Sequence, residues 1–282
     1  FSGDVGRFNY PLLKEPETPP AADYLNCEST YGGKTHQSSK DTEKELLKFI
    51  TEACIDKPGK IIIPAFSIGR TQAILFTIHK LFKSGKLPNI PVYADSPMAM
   101  KSNRVYEKYS HSLNEEALTF KQQYKELFYG ENFEYVEQLE HRKKIANKTG
   151  PYIIVSSSGM LEGGRIQHHI RQNLRNPDTT ALMVGFTPEG TFGHRLLHSN
   201  GSVEIGQKQV EVLCRIVKTD AFSGHGDHND LLHLINSQDK EKNKVIFLVH
   251  GEPESLKNLQ EDVINQGFEN VTIPKKGDSF EL

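Results

Sequence analysis

Short apolar runs alternate with helical patterns along most of the chain, and this alternation constrains the fold more than any other feature of the sequence. Residues 60–63 and 245–249 have the composition of buried strands, whereas residues 71–82 place apolar side chains at helical spacing. Strands that alternate with helices of ten or more residues are typical of α/β folds in which most strands run parallel. In such sheets, functional groups lie where the strands end and the loops begin.

Three stretches of the sequence predict local secondary structure in more detail. Residues 97–145 are predicted to be mostly helical, and the alternation over residues 209–217 predicts one strand. The sequence Thr42-x-x-Glu45 predicts a helix start. The longest apolar run, from Ile61 to Phe66, is far shorter than the roughly 18 residues that a membrane span requires, so a membrane-spanning segment is excluded.

Charge is unevenly distributed, although the formal net charge of the 282 residues is only −2. Residues 37–217 contain 24 basic and 19 acidic residues, whereas the flanking residues contain 10 basic and 17 acidic residues. A basic middle between acidic flanks favours a polyanion-binding segment beside a cation-binding one. The excess is small, and a chance distribution of charges is the alternative.

The cysteines indicate a cellular compartment, and the first residues indicate whether the sequence is part of a longer protein. Cys27, Cys54 and Cys214 lie far apart in the sequence. An odd, sparse set argues for a reducing compartment and against a disulfide scaffold, so we expect a cytoplasmic protein. The chain begins Phe1-Ser2-Gly3-Asp4 without a signal-peptide pattern. Because this beginning is similar to the tail of a strand, we expect a piece of a longer protein.

Four acidic or histidine residues stand at predicted strand ends or beside glycine. They are Asp4, Glu28, His225 and His250. Carboxylate and imidazole groups are suitable ligands for zinc. For each residue taken alone, a hydrogen bond that caps a loop or a turn is the alternative.

Three predicted helix starts in the basic segment are candidates for phosphate binding, because backbone N–H groups at such positions attract anions. The candidate residues are Ser67, Arg70, Ser157, Ser158, Gly159, Met160, Arg165, Thr191 and Arg195. Each helix start is a weak signal by itself, since helix starts of this kind are common. Three of them in one basic segment favour a phosphate-binding track.

Together these residues resemble the motifs of the β-CASP branch of the metallo-β-lactamase superfamily, a group that includes RNA nucleases. Ser2-Gly-Asp4 is similar to the family's metal-bridging aspartate motif, Glu28-Ser-Thr-Tyr-Gly to motif A, Phe222-Ser-Gly-His225-Gly-Asp to motif B, and Val249-His250-Gly-Glu to motif C. Further matching stretches cover residues 64–72, 95–98, 157–164 and 185–191. The resemblance therefore extends over essentially the whole chain.

The resemblance implies an α/β fold made of a metallo-β-lactamase αββα sandwich with an inserted Rossmann-like β-CASP domain. Residues 1–36 and 218–282 would belong to the sandwich, and residues 37–217 would form the insert. The family's His-x-His-x-Asp-His motif and the histidine that follows it supply most zinc ligands, and neither is present in this sequence. We therefore expect the 282 residues alone to be inactive, and we interpret Asp227 and His228 as helix-start residues rather than as a separate zinc site.

The resemblance also implies a zinc-dependent ribonuclease that hydrolyses phosphodiester bonds of single-stranded RNA, as an endonuclease, a 5′-exonuclease or both. By resemblance, Asp4 bridges two Zn²⁺ ions and His250 binds one of them. His225 contacts the scissile phosphate or protonates the leaving 3′ oxygen, and Glu28 orients His225. A homodimer is left open.

Two alternatives to an RNA nuclease stay open at this point. The first is a DNA nuclease of the same superfamily, which His250 disfavours because the DNA-acting branch typically has valine there. The second is a non-catalytic RNA-binding β-CASP subunit, which the four intact motifs disfavour.

Overall fold

The computed structural model describes residues 1–36, 42–146 and 148–281, and it divides into two compact units. Unit 1 consists of Phe1–Tyr10, Lys14–Gln37 and Gly224–Leu282, and unit 2 of Pro11–Leu13 and Ser38–Ser223. The predicted domain boundary between residues 36 and 37 adjoins residues outside the described ranges. The predicted extents 1–36, 37–217 and 218–282 therefore stay predictions.

Strands and helices alternate along the described residues, as the sequence predicts for an α/β fold. In chain order they are β1 (Tyr24–Glu28), α1 (Thr42–Ile50), β2 (Lys60–Pro64), α2 (Arg70–Lys83), β3 (Val92–Asp95), α3 (Pro97–Lys108), α4 (Glu115–Tyr124), β4 (Phe133–Tyr135), α5 (Leu139–Ala146), β5 (Tyr152–Ser156), α6 (Ile166–Asn173), β6 (Thr179–Val184), α7 (Phe192–Leu197), β7 (Ser202–Ile205), β8 (Lys208–Glu211), β9 (Arg215–Thr219), α8 (His228–Asn236), β10 (Val245–Val249), α9 (Pro253–Asn265) and β11 (Val271–Thr272). A π-helical segment, Thr51–Asp56, continues α1, and a short 3₁₀ turn follows α3.

Unit 1 is built on a parallel sheet of three strands in the order β1-β10-β11. Within β10, Ile246 and Leu248 are fully buried and the residues between and beside them are half-buried. Because every second residue of β10 is buried, one face of the sheet packs toward α8 and α9. Leu231 of α8 and Leu259 of α9 belong to the same core. The register aligns Glu28 with Val249, so the carboxyl ends of β1 and β10 lie side by side.

Unit 2 is built on a parallel sheet of six strands in the order β4-β3-β5-β2-β6-β9. The residues of β2, β3, β5 and β6 are all buried. Their nearly continuous apolar sequences, such as Ile61-Ile62-Ile63, fit parallel strands that are covered on both faces. The segments that follow the carboxyl ends of β2, β5 and β6 carry all the predicted phosphate-binding residues.

One detailed expectation was confirmed and another was wrong. The stretch 97–145 is mostly helical, because it contains α3, α4 and nearly all of α5; it also contains β4, a three-residue strand at the sheet edge that is too short to show a periodic pattern. Residues 209–217 form parts of two strands, because β8 pairs with β7 whereas β9 pairs with β6. Between them, the amides of Leu213 and Cys214 both donate to the Leu174 carbonyl oxygen, at 2.8 and 2.9 Å, which takes the chain out of the strand conformation.

Among the helices of the described residues, none is both long and apolar enough to cross a membrane.

Candidate active site

Unit 1 brings together the four residues that the sequence analysis selected for metal and acid–base chemistry. One ligand atom each from Asp4, Glu28, His225 and His250 lies within 4.8 Å of the others. Glu28 is the last residue of β1, and His250 directly follows β10. Because these two strands are parallel neighbours, their carboxyl ends place both side chains at one edge of the sheet.

Glu28 is buried, with 2% of its surface exposed, and its carboxylate accepts three hydrogen bonds. The amide of Val5 donates to Oε1 at 2.6 Å, while the Thr30 hydroxyl and the His225 Nδ1–H group donate to Oε2 at 2.6 and 2.8 Å. Burial alone would raise the pKa of Glu28, but the hydrogen bonds from His225 and Thr30 outweigh it and hold the pKa below its ordinary value. Glu28 is therefore an ionised carboxylate that orients the His225 ring.

His250 is exposed and has a backbone φ of +51°, in the left-handed region that few residues other than glycine adopt. Its carbonyl oxygen accepts a hydrogen bond from the Ser29 amide at 3.2 Å. The next residue, Gly251, lies so close to β1 that an added Cβ would be 2.6 Å from the Ser29 carbonyl oxygen. This close approach requires glycine, and it holds the His250 backbone against the end of β1.

Asp4 is exposed, with 67% of its side chain accessible to solvent. Its Oδ1 atom is 3.6 Å from His225 Nδ1. The segment that carries Asp4 runs beside β1, because the Ser2 amide donates to the Asn26 carbonyl at 2.8 Å and the Ser2 hydroxyl accepts from the Glu28 amide at 3.1 Å. The sheet edge thus positions Asp4 as well as Glu28.

The cluster fits part of a zinc site. Carboxylate oxygen and imidazole nitrogen are ordinary zinc ligands, and Asp4 and His250 are the two accessible members. Glu28 already accepts from three donors, so it suits an orienting role better than direct coordination. The described residues of the cluster therefore supply two ligands, whereas protein zinc sites use three or four protein ligands.

Asp227 and His228 begin α8, which confirms their interpretation as helix-start residues. The Asp227 carboxylate accepts from the amides of Asn229 and Asp230 at 2.9 and 3.1 Å, and the Asp230 carboxylate accepts from the Asp227 amide. This reciprocal arrangement is a capping box. His228 accepts from the Gly33 amide through Nδ1 and is not part of the four-residue cluster.

Two residues of the site escaped the sequence analysis. Thr30 places its hydroxyl oxygen 3.1 Å from His250 Nδ1 and 2.6 Å from Glu28. His36 is buried, and its Nε2 atom is 3.1 Å from the His225 carbonyl oxygen. Thr30 stands two residues after Glu28 in the motif A match, which is a signal that the sequence offered, whereas nothing in the pattern links His36 with a residue 189 positions away.

The hydroxyl groups of Ser67, Ser96 and Ser157 lie close together at the carboxyl edge of the sheet in unit 2. Ser67 and Ser157 are predicted phosphate-binding residues, and Ser96 is their neighbour. The Ser96 Oγ atom is 3.1 Å from Ser67 Oγ and 3.2 Å from Ser157 Oγ. Arg70 begins α2 and donates through Nε to the Phe222 carbonyl oxygen at 2.9 Å. The structure thus joins Ser67 and Ser157, and it places Arg70 in the helix that follows the Ser67 loop.

Arg165 is engaged with a buried carboxylate. Its guanidinium group donates to Asp95 at 2.7 Å and to the Val136 carbonyl oxygen at 2.8 Å. Asp95 is fully buried and also contacts Arg142 at 2.7 Å and His169 at 2.8 Å. These contacts give Arg165 an internal role in unit 2, and phosphate binding by Arg165 stays a prediction.

The remaining phosphate candidates also have internal contacts. Thr191 caps α7 by accepting from the His194 amide at 3.2 Å, and Arg195 donates to the Gly190 carbonyl oxygen at 2.7 Å. The Glu162 carboxylate accepts from the first amide of α7. Ser158, Gly159 and Met160 lie in the loop after β5, where the Ser158 hydroxyl donates to the Gly163 carbonyl oxygen at 3.2 Å. Phosphate binding by these residues stays a prediction.

The three cysteines are buried and free of disulfides. Burial raises the pKa of Cys27 and of Cys54 to about 12. A thiol with so high a pKa is not ionised near neutral pH, so these two are not nucleophiles.

A parallel α/β fold with a carboxylate–imidazole cluster at the strand ends is an arrangement suited to metal binding. Comparison with protein families gives the particular group: residues 71–196 match the Beta-Casp domain, and residues 209–274 match the Zn-dependent metallo-hydrolase RNA specificity domain. The chain belongs to the β-CASP branch of the metallo-β-lactamase superfamily. The second match contains both His225 and His250.

Similar proteins carry names from RNA metabolism. Ribonuclease TTHA0252 of Thermus thermophilus is 32% identical over 99% of this chain and 62% of its own length. An RNase J-like protein of Methanocaldococcus jannaschii is 31% identical over 89% of this chain and 58% of its own length. Endoribonuclease YSH1 of Yarrowia lipolytica is 29% identical over 92% of this chain and 31% of its own length. The chain therefore spans less than two thirds of these relatives.

Proposed function

We propose that this chain is the β-CASP-containing part of a zinc-dependent ribonuclease that hydrolyses phosphodiester bonds of single-stranded RNA. The observation that carries the proposal is the cluster of Asp4, Glu28, His225 and His250 in a chain of this family. The names of the relatives support RNA as the substrate. Both endonuclease and 5′-exonuclease action are compatible with the cluster.

The residues of the cluster divide between metal binding and proton transfer. Asp4 and His250 are the accessible members and would hold the metal. Bound zinc supplies a Lewis acid for the phosphate and an activated water. His225 lies beside both and is oriented through Nδ1 by Glu28, and its imidazole would contact the scissile phosphate or protonate the leaving 3′ oxygen.

The proposal includes a longer active protein. Asp4 and His250 are two ligands of the three or four that a zinc ion requires. The relatives are also longer than this chain, and the chain covers 62% of the first one. We propose that the remaining ligands come from residues outside the 282.

Location and assembly belong to the same proposal. Three free, buried cysteines support a reducing compartment, and we propose a cytoplasmic protein. Fractionation of cells that express a tagged form checks this. A homodimer is proposed as well, and sedimentation equilibrium gives its molar mass directly.

Metal content tests the division of the ligands. We expect the 282-residue chain, after dialysis against a chelator and then against zinc-free buffer, to retain far less than two zinc ions per chain and to show no strong nuclease activity. Two retained zinc ions would contradict the ligand assignment, since the cluster offers only Asp4 and His250 as accessible ligands. Atomic absorption of the dialysed protein measures the zinc.

The reaction is tested in the longer protein with a single-stranded RNA and a DNA of the same sequence. We expect hydrolysis of the RNA alone, abolished by chelation and restored by zinc. His225→Ala is expected to lower the rate about 10²–10⁴-fold, the usual contribution of a general acid, without loss of zinc. Cleavage of the DNA at the same rate, or RNA binding without hydrolysis, would contradict the proposal.

A further inference from the structure

The Thr30 hydroxyl lies at the centre of the cluster in unit 1 and has one proton to donate. Its Oγ1 atom is 2.6 Å from Glu28 Oε2, 3.1 Å from His250 Nδ1 and 3.2 Å from the His250 carbonyl oxygen. Thr30 is itself buried, with 6% of its surface exposed. The position of its single proton therefore decides how the neighbouring groups are bonded.

The proton lies between Thr30 and Glu28. Two oxygen atoms at 2.6 Å require a hydrogen between them, and the carboxylate is already the acceptor for the Val5 amide and for His225 Nδ1–H. The alternative acceptor, the His250 carbonyl, is 3.2 Å away and neutral, so it competes weakly with a charged oxygen. Thr30 is the donor to Glu28 and keeps its lone pairs for other donors.

His250 is the residue that donates a hydrogen bond to the Thr30 hydroxyl oxygen. Its Nδ1 atom is 3.1 Å from Thr30 Oγ1, and a lone pair on Nδ1 would face a lone pair on oxygen. The Nδ1 atom must therefore carry a proton. His225 is not a competitor, since its Nδ1–H group is directed to Glu28 at 2.8 Å and its distance to Thr30 is 3.5 Å.

We propose that Thr30 is a positioning residue that fixes the tautomer of His250, with the proton on Nδ1 and the lone pair on Nε2. The chain of hydrogen bonds runs from His250 Nδ1–H to the Thr30 hydroxyl and from that hydroxyl to Glu28. A histidine binds a metal through an unprotonated nitrogen, and the hydrogen bond made by its other nitrogen selects which one is unprotonated. Glu28 thus orders both imidazoles, His225 directly and His250 through Thr30, an inference that rests on the proposed function for its catalytic meaning.

The backbone supports the same arrangement. The Ser29 amide holds the His250 carbonyl at 3.2 Å, and β1 and β10 are paired up to Glu28 and Val249. These bonds fix the distance between the Thr30 and His250 backbones. A serine at position 30 keeps the hydroxyl at that distance, whereas a valine keeps the shape and removes the hydroxyl.

The tautomer is measured directly by long-range ¹H–¹⁵N correlation spectra of zinc-free protein with ¹⁵N-labelled histidine, at alkaline pH where the rings are neutral. The His250 signals are assigned by their loss in His250→Asn. We expect the wild-type ring to carry its proton on Nδ1, Thr30→Ser to preserve this state, and Thr30→Val to move the proton wholly or largely to Nε2. Ser29→Ala removes a neighbouring buried hydroxyl that has no hydrogen-bond partner among the described residues; it is the matched control and is expected to change nothing.

Zinc affinity is the second readout, measured in the longer protein by competition with a chromophoric chelator. Loss of an orienting contact to a metal ligand typically costs 10–100-fold in affinity. We expect a loss of that size in Thr30→Val and none in Thr30→Ser or Ser29→Ala. An Nε2–H tautomer in the wild type, or an unchanged tautomer in folded Thr30→Val, would overturn the inference.

The outcomes separate this inference from the proposed function. If the longer protein does not hydrolyse RNA but the variants show the expected tautomers, the ribonuclease proposal is overturned. The role of Thr30 is then still supported. If the longer protein hydrolyses RNA but Thr30→Val changes neither the His250 tautomer nor the zinc affinity, the ribonuclease proposal is supported. The role of Thr30 is then overturned. Circular dichroism and urea unfolding confirm that each variant is folded before either measurement.

Discussion

At the scale of single residues, two buried carboxylates organise the two units. Glu28 accepts three hydrogen bonds in unit 1, and Asp95 pairs with two arginines and a histidine in unit 2. A buried carboxylate is costly unless its charge is matched, so each one fixes the positions of its partners. In unit 1 one of these partners, His225, belongs to the candidate cluster, whereas in unit 2 the partners stabilise the ends of β3 and α6.

The first prediction concerns the coupling of Glu28 with His225 in the longer protein. Because Glu28 acts by orienting His225, Glu28→Gln is expected to slow RNA hydrolysis less than His225→Ala does. The effects in the double variant are expected to be far from additive, because the carboxylate acts largely through His225 and only its contact with Thr30 and His250 is left to lose once His225 is removed. Single-turnover rates of the four proteins check this, and effects that multiply would contradict it.

The second prediction concerns Asp95. Burial alone would raise its pKa, but hydrogen bonds from His169 and Arg165 and the charge of Arg142 lower the pKa below its ordinary value. Asp95→Asn leaves cationic partners without a counter-charge, and we expect a loss of about 3–5 kcal/mol in the free energy of unfolding at neutral pH. Glu140→Gln, at an exposed ion pair with Lys143, is the control and should cost less than about 1 kcal/mol.

The same substitution has a pH dependence of known sign. A carboxyl group whose pKa is lower in the folded state stabilises the fold above its unfolded pKa of about 4, and this contribution is lost as the pH falls through the folded pKa. The difference in stability between wild type and Asp95→Asn should therefore be constant at neutral pH and shrink below about pH 4. Urea unfolding at a series of pH values measures it, and a difference that grows on acidification would refute the role of Asp95.

At the scale of elements, parallel pairing and helix capping decide which residues meet. The parallel register of β1 and β10 brings Glu28 beside the residue before His250, although the two strands are more than 200 positions apart. The capping box of α8 then fixes the chain just after His225. The site is thus built from strand ends and one helix start rather than from a continuous segment.

The third prediction concerns the Asp227 cap. Asp227→Ala leaves the first amides of α8 without their acceptor and also removes the acceptor of the His36 amide. We expect a loss of about 1–2 kcal/mol in the free energy of unfolding and no change in the zinc content of the longer protein. Asp227→Asn keeps an acceptor oxygen and should cost less. Loss of zinc in Asp227→Ala at full stability would instead indicate a metal-binding role.

At the scale of the whole molecule, the distribution of charge predicts where RNA binds. The 24 basic and 19 acidic residues of segment 37–217 contrast with the acidic flanks. Nearly all of this segment belongs to unit 2, whose sheet edge carries the predicted phosphate-binding residues. Because phosphate contacts release counterions from the nucleic acid, binding that depends on this segment must weaken with salt.

The fourth prediction is that the 282-residue chain binds single-stranded RNA weakly, with an affinity that falls as the salt concentration rises. Arg70→Ala should lower the affinity and reduce the salt slope by about 1, as expected for one lost phosphate contact. Arg70→Lys retains the charge and is the control. Fluorescence anisotropy across a salt series measures both the affinity and the salt slope. An affinity that does not depend on salt concentration would indicate that the charge distribution is a chance feature. Arg165→Ala is also expected to lower the affinity and the salt slope, and in addition to destabilise unit 2, because Arg165 pairs with buried Asp95.

The sequence alone determined the α/β class, most of the strands and helices, and the four residues of the candidate site. Buried parallel strands have nearly continuous apolar sequences, as at Ile61-Ile62-Ile63, and this signal is local. The motifs around Glu28, His225 and His250 contain glycine and polar residues at strand ends, which are also local signals. For the same reason the capping role of Asp227 was predictable from the residues beside it.

Only the tertiary structure decided the contacts between distant segments. The division of residues 209–217 between β8 and β9 depends on the Leu174 carbonyl oxygen, which no pattern within that stretch reveals. The roles of Thr30 and His36 depend on parallel pairing and on a helix start near residue 225, because a hydrogen bond needs a partner within about 3.5 Å and not merely a suitable residue type. Likewise Arg165 has the sequence context of a phosphate-binding residue, and the burial of Asp95 beside it gives it a structural partner. Periodicity fixes which residues are buried, whereas the packing of the sheet ends fixes which polar groups meet.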